Sequence, residues 1–348
     1  MPASLDAAAF VRQSRHRPVL DVRTPAEYAQ GHLPGAHNLP LFEDAERAEI
    51  GTLYKQAGRR AAMLRALDLV GPKLRALTER ADAWAGGGDV LVHCWRGGMR
   101  SASVAWLLEF FGHRAETLQG GYKAFRRLVL GSFALERPVC LLGGMTGAGK
   151  TEVLDALAMQ GAQVLDLEAL ANHQGSVFGH LGRPAQPTQE QFENELAVRW
   201  RALDPARPVW IEDESRRLGR VVVPAALWAQ MRAARVLLLD VPFEDRVRRL
   251  VDGYGRHEAA RLAEAIGCIG KRLGGLRTRQ AQQAVHGGDL EGACRILLAY
   301  YDGAYRHALD RRGAVCRPVA APPGAGAAAI AAHLIAAAAP APSPAPIA

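Results

Sequence analysis

The octapeptide GMTGAGKT at 144–151 restricts the fold more than any other stretch of the chain. It has the spacing G-x-x-x-x-G-K-[ST], follows the apolar run VCLLG and precedes the helical pattern TEVLDALAMQG. A strand, a glycine-rich turn and a helix in that order build a loop whose backbone N–H groups wrap a phosphate chain at the positive end of the helix. Gly144, Gly147 and Gly149 supply the backbone freedom, Lys150 neutralises terminal oxygens, and Thr151 is placed to ligate Mg²⁺. The strand in VWIEDES (209–215) offers a second acidic position, with Glu212 or Asp213 near the metal. ATP is the default occupant of such a loop. Any diphosphate with a compatible tail meets the same requirement.

A second motif stands upstream. In LVHCWRGGMRS (91–101) an apolar run delivers Cys94, and two glycines and two arginines follow. The glycines let the chain curl so that amide N–H groups point inward, and the next helix adds its positive end. Arg96 and Arg100 add full charges. Such a cup lowers a thiol pKa and holds an anion beside the sulfur. The pattern H-C-x-x-G-x-x-R-[ST] serves cysteine phosphatases, in which the thiolate attacks phosphorus, and a similar cup in a sulfurtransferase holds a persulfide. The loop alone leaves both open.

Around these motifs the chain alternates strand and helix. PVLDV (18–22), DVLVHC and AETL read as strands in the first part; AQVLDLE, PVWIEDE and RVLLLDV follow the phosphate loop. TQEQ (188–191) reads as a capping box opening a helix, and 258–309 reads as all helix. The pattern breaks near LGSFALERP (131–138). The expected organisation is a first domain over 1–134, a P-loop domain with a helical region over 135–320, and an Ala/Pro-rich surface helix with a disordered tail over 321–348. LLAYYDGAYRH (297–307) reads as core packing, and LEALANHQGSVFGHLG (167–182) as a polar loop over the phosphate site.

Composition narrows the partners. The net charge is +8 and the pI about 9.5, which favours nucleic acid or phosphate esters. The arginine clusters at 216–220, 246–257 and 271–279 suit a phosphate lid or an RNA backbone. Five widely spaced cysteines with no C-x-x-C make neither a disulfide framework nor a zinc site. A reducing cytoplasm is expected, with no signal peptide, no membrane association and a monomeric state.

LDVRTPAEYAQGHLPGAHNLP (20–40) resembles the rhodanese signature, shared with cell-cycle phosphatases of the same fold. The five residues between Cys94 and Arg100 depart from the commonest sulfur-transferring rhodaneses toward the phosphatase length. HCWRGGMRS, GGMTGAGKT, LANHQGSVFG and KRLGGLRT, in that order, resemble the tRNA 2-selenouridine synthase family over about residues 5–315. The resemblance implies an α/β chain, with a rhodanese-like doubly wound parallel sheet followed by a P-loop NTPase-like domain with a helical C-terminal part. It implies a transferase acting on wobble 2-thiouridine in tRNAs for Lys, Glu and Gln. Geranyl diphosphate would S-geranylate the base, and selenophosphate, made by a partner enzyme, would then supply selenium through an S-selanyl group on Cys94. Arg96 and Arg100 would hold the phosphate end, and Lys150 with Mg²⁺ on Thr151 and Asp213 would hold the pyrophosphate. An ATP-dependent tRNA thiolation enzyme is the alternative.

Overall fold

The computed structural model describes residues 2–310, 316–320 and 325–338. They fall into two compact units: the described residues of Met1–Phe133 with Thr188–Arg201, and those of Ala134–Pro187 with Ala202–Ala348. The expected disordered tail lies mostly outside the described residues.

The first unit holds five parallel strands, β1 (Ala3–Leu5), β2 (Val19–Asp21), β3 (His37–Asn38), β4 (Val90–His93) and β5 (Ala115–Leu118), in the order β1-β5-β4-β2-β3. Leu20, Val90 and Val92 point to one face and Val19 and Leu91 to the other, and all are buried. Both faces are therefore covered, as a doubly wound parallel sheet requires. Leu77, Ala81, Val104 and Leu108 of the helices Leu74–Ala85 and Met99–Phe111 close one side.

The segment Asp44–Val70 contains a break at Gly58, whose φ of 83° lies outside the helical range. Residues 16 apart on a straight helix stand about 24 Å apart, yet Arg65 pairs with Glu49 and Lys73 with Glu46. The segment is a helical hairpin with Gly58 at its tip.

The second unit holds β6 (Val139–Gly144), β7 (Gln163–Leu165), β8 (Val209–Glu212), β11 (Arg235–Asp240) and β12 (Cys316–Ala320), all parallel in the order β12-β11-β6-β8-β7. A two-stranded ribbon, β9 (Arg217–Leu218) with β10 (Val221–Val222), follows β8. Cys140, Leu142, Trp210, Leu237 and Leu239 pack under the helix Lys150–Met159. The helices between Phe243 and Asp310 form their own apolar cluster.

Three expectations need correction. The domain over 135–320 is not continuous, because the helix Gln189–Ala202 lends residues 188–201 to the first unit. Asn194, fully buried, donates to the His32 carbonyl at 2.9 Å and to the Tyr122 hydroxyl at 2.9 Å, and accepts from Arg126 at 2.6 Å. Gln191 accepts from the His32 N–H at 2.8 Å, so it does not close a capping box, although Thr188 accepts from the Gln191 N–H at 3.0 Å. The alanine-rich helix Ala327–Ala338 is likewise no surface appendage. Its Ile330, Ala331 and Leu334 are buried against the phosphate-loop helix, where small side chains allow close approach.

Candidate active site

In the first unit, β4 is the central strand and delivers Cys94 just past its C-terminal end, and the turn 95–98 curls over it before the helix Met99–Phe111 begins. Two glycines make the curl. Gly97 has φ 64°, and a Cβ there would stand 2.6 Å from the Leu118 carbonyl oxygen. Gly121 has φ 60°, and its Cβ would collide with the backbone of Gly97 and Cys94. The loop is thereby pressed against the start of the helix Gly121–Ser132, whose amides at Tyr122 and Lys123 donate to the carbonyls of Cys94 (2.8 Å) and Trp95 (3.0 Å).

The Cys94 sulfur lies 3.2 Å from the Ser101 hydroxyl and accepts from the Gly98 N–H at 3.4 Å. Burial acts to raise the thiol pKa. The Ser101 hydroxyl and the amides of Ser101, Gly98 and Arg96 outweigh it, so the thiol ends below its ordinary value. Ser101 was visible as the last residue of the motif but carried no expected role. The arginines divide. Arg96 is exposed, while Arg100 is held by Glu27 at 2.8 Å. Burial acts to raise the Glu27 carboxyl, and the hydrogen bond and charge of Arg100, the Thr24 amide and the Arg23 charge together outweigh it, so it ends below its ordinary value. An incoming oxyanion competes with Glu27 for Arg100.

A buried arginine lies beneath the loop. Arg23 is fully buried, pairs with Asp21, donates to the Gly31 carbonyl at 2.7 Å and stands 3.7 Å over the Tyr122 ring. Its guanidinium also lies 5.8 Å from the ring of the part-exposed Trp95, so it braces the loop from inside. A wide cleft adjoins the loop helix at Met99, Arg100 and Ser103, and the hairpin Asp44–Val70 forms its other wall.

In the second unit, Gly144, Gly147 and Gly149 have φ of 158°, 81° and 79°. Their missing side chains make room for neighbours: a Cβ on Gly147 would stand 3.0 Å from the Arg246 carbonyl, and one on Gly149 2.9 Å from the Arg249 guanidinium. Arg249 donates to the Gly147 carbonyl at 3.1 Å. Arg246 donates to the Thr146 carbonyl at 3.1 Å and grips Asp302 with both nitrogens at 2.8 and 2.7 Å. Within the 246–257 cluster, Arg246 is therefore a buried brace of the loop.

Lys150 donates to the Gly144 carbonyl at 3.3 Å and lies 3.2 Å from Glu214. Burial acts to lower its pKa, and Glu214, Glu168 and Asp213 together raise it above the ordinary lysine value, so the ammonium is charged. Glu168 moves the other way. Burial and the Glu214 charge push it up to about 7. It accepts from the Gly175 N–H at 2.6 Å, which ties the polar segment after Ala171 to this acidic group. Glu212 accepts from the Glu168 N–H at 2.7 Å and is raised well above its usual range by burial.

Thr151 lies in the first turn of the helix after the loop. Asp213 follows β8, with its N–H on the Leu142 carbonyl at 2.9 Å, so it stands beside the strand that enters the loop. Tyr305 joins the two by donating to Asp213 at 3.1 Å and accepting from the Gly144 N–H at 3.1 Å. It does more than the core packing expected of 297–307; no local signal reveals a bridge between residues so far apart in the chain. Among the described residues no three His, Cys, Asp or Glu side chains converge as a metal site, and His173 and His180 belong to none. No described helix is long and apolar enough to cross a membrane.

The fold and the two centres define a thiol-bearing rhodanese-like domain joined to a P-loop domain. Comparison with known proteins agrees. The rhodanese-like domain family matches residues 6–128, and the tRNA 2-selenouridine synthase AAA domain matches residues 137–319. The chain is 37% identical to the tRNA 2-selenouridine synthase of Shewanella loihica, over 85% of this chain and 88% of that one. It is 36% identical to that of Pseudomonas putida, over 85% and 90%. Among solved structures, a rhodanese-related protein from Thermoplasma volcanium matches at 20% identity with a TM-score of 0.23, covering 36% of this chain and 91% of that chain. The chain belongs to the tRNA 2-selenouridine synthase family.

Proposed function

We propose that this chain converts wobble 2-thiouridine to 2-selenouridine in tRNAs for Lys, Glu and Gln by two group transfers, one per centre. In the first, the base sulfur attacks C1 of geranyl diphosphate. The C–O bond breaks, pyrophosphate leaves with the electron pair, and the base loses its N3 proton. The loop amides and Lys150 take up the charge of the leaving group, with Lys150 exchanging Glu214 for phosphate oxygen. Thr151 and Asp213 are oxygen donors at the two sides of the glycine cradle and suit Mg²⁺, which when bound further neutralises the diphosphate. The observation that carries this reading is a narrow apolar slot of about 50 Å³ beside Thr146 of the loop, which a ten-carbon tail must widen as it enters. Leu250, Tyr254, Leu262, Ile266 and Leu297 line it, with no charged or amide side chain among its described lining. That chemistry suits a hydrocarbon tail better than a nucleobase.

In the second transfer the Cys94 thiolate attacks the selenium of selenophosphate. An S–Se bond forms, the Se–P bond breaks, and phosphorus keeps the pair and departs as phosphite. Selenium on Cys94 then adds to C2 of the base, geranylthiolate leaves with its pair, and a low-molecular-weight thiol reduces the Se–S bond to free 2-selenouridine. Arg96, with Arg100 once released from Glu27, holds the oxyanion. Selenophosphate that attacks C2 directly releases phosphate instead, so the oxyanion recovered reports whether selenium passes through Cys94. The exposed cations Lys271, Arg272, Arg277 and Arg279 suit the tRNA backbone.

The test is nucleoside mass spectrometry after incubation of a 2-thiouridine stem-loop with Mg²⁺ and geranyl diphosphate, then selenophosphate and a thiol. The reading expects an S-geranyl adduct that converts to 2-selenouridine. No adduct, with ATP turnover stimulated by tRNA, turns the P-loop into a nucleotide site and the chain into a thiolation enzyme.

A further inference from the structure

The cleft beside the cysteine loop is not accounted for by the chemistry above. Its volume is about 920 Å³, at the upper end of small-molecule sites. It is lined by Leu41 and Phe42, by Met63 and Leu67 with their apolar neighbours on the hairpin, and by Met99, Arg100 and Ser103 of the helix that follows the cysteine loop. Tyr54, Leu67 and Met99 are 59%, 64% and 54% exposed, a concentration of large apolar surface at one place that marks a binding site. Arg47, Lys55 and Arg59 stand around it, against a single carboxylate, Asp44. Lys55 and Arg59 flank Gly58 at the hairpin tip, so the break that folds the hairpin also sets two cations together at its end.

An apolar floor with a cationic rim, bordered by the helix that opens from the thiol loop, fits one chemical class: a polyanion carrying a hydrocarbon chain near the atom to be attacked. We infer that this cleft binds the alkylated anticodon loop, its floor taking the hydrocarbon on the wobble sulfur and Arg47, Lys55 and Arg59 taking the flanking phosphates. The inference rests on the reading of an S-alkylated RNA as the second substrate. It gives the first unit a means of choosing RNA that has already been alkylated, since unmodified 2-thiouridine leaves the floor empty. It also places the departing alkylthiolate in an apolar site.

The test measures Kd for two anticodon stem-loops, one with S-geranyl-2-thiouridine and one with 2-thiouridine, at several salt concentrations. The wild-type chain is expected to bind the geranylated RNA at least about tenfold more tightly, given the number of methylene-sized groups buried. Ala66→Trp, which fills the floor, brings the two Kd values together. Leu67→Asp does the same from an exposed position where folding is not at stake. Lys55→Glu with Arg59→Glu weakens both RNAs alike and lowers the salt slope by about two. An unchanged rate of Cys94 alkylation shows that each variant keeps the loop. Equal wild-type affinities for the two RNAs, or a preference that survives both floor variants, overturn the inference. A wild-type chain that prefers the geranylated RNA but never converts it to 2-selenouridine upholds the cleft and refutes the reaction sequence.

Discussion

The Lys150 ammonium lies 3.2 Å from a carboxylate oxygen of Glu214, so the lysine of the phosphate loop is already paired before any phosphate arrives. Phosphate must displace that carboxylate. Glu214→Gln keeps the shape and removes the competing charge. It is expected to tighten inorganic pyrophosphate binding by several-fold to about tenfold in calorimetry. Unchanged or weaker binding would show that Glu214 assists the ligand.

Glu168 sets a pH dependence in the same centre. Its carboxyl is held at about 7, against an ordinary value of 4.5. The folded chain therefore binds a proton there that the unfolded chain has released, and this contribution to stability falls as pH rises from about 4.5 through 7. Glu168→Gln removes the titration. Denaturant melts across that window are expected to show a flatter stability profile for the variant, and a slope equal to wild type would exclude Glu168 as its source.

Gly121 lets the cysteine loop lie on the helix Gly121–Ser132. A methyl group there meets the backbone of Gly97 and Cys94, which cannot yield as a side chain would, and φ at this position is 60°. Gly121→Ala is expected to abolish selenium transfer while geranylation in the other unit proceeds within about twofold. Gly98, where a Cβ meets open space, is the control. Full selenation by Gly121→Ala would show that the loop geometry does not matter.

The Ser101 hydroxyl lies 3.2 Å from the Cys94 sulfur and 3.1 Å from the Gly98 carbonyl, and it stabilises the thiolate when its proton turns from that carbonyl to sulfur. Ser101→Ala leaves burial, which opposes ionisation, with less to offset it. The thiol pKa rises, and Cys94 alkylation by iodoacetamide at pH 7 slows by about threefold to tenfold. The rate against pH should shift to higher pH for the variant; superimposable profiles would remove Ser101 from the site.

Much of this was legible in the sequence, because strand, glycine loop and helix are contiguous in both motifs and their periodicities are strong. The membership of residues 188–201 was not. It depends on Asn194 meeting His32 and Tyr122 across long stretches of chain, and no local pattern encodes that. Tyr305 and Arg246 were obscured for the same reason: one reads as core and the other as part of a phosphate lid or an RNA-binding cluster until the fold sets them against the phosphate loop. The alanine-rich helix misled in the opposite sense, since few large apolar residues suggest a surface position, whereas here they allow close packing.

The central claim is that the two transfers reside in two separate centres. Nucleoside mass spectrometry of Cys94→Ala and Lys150→Ala tests it most directly, with 2-thiouridine RNA and with pre-geranylated RNA as substrates. The account predicts that Cys94→Ala accumulates the S-geranyl nucleoside and makes no 2-selenouridine. Lys150→Ala should make no S-geranyl nucleoside, yet should selenate RNA that is supplied already geranylated. Loss of both activities in each folded variant would contradict it.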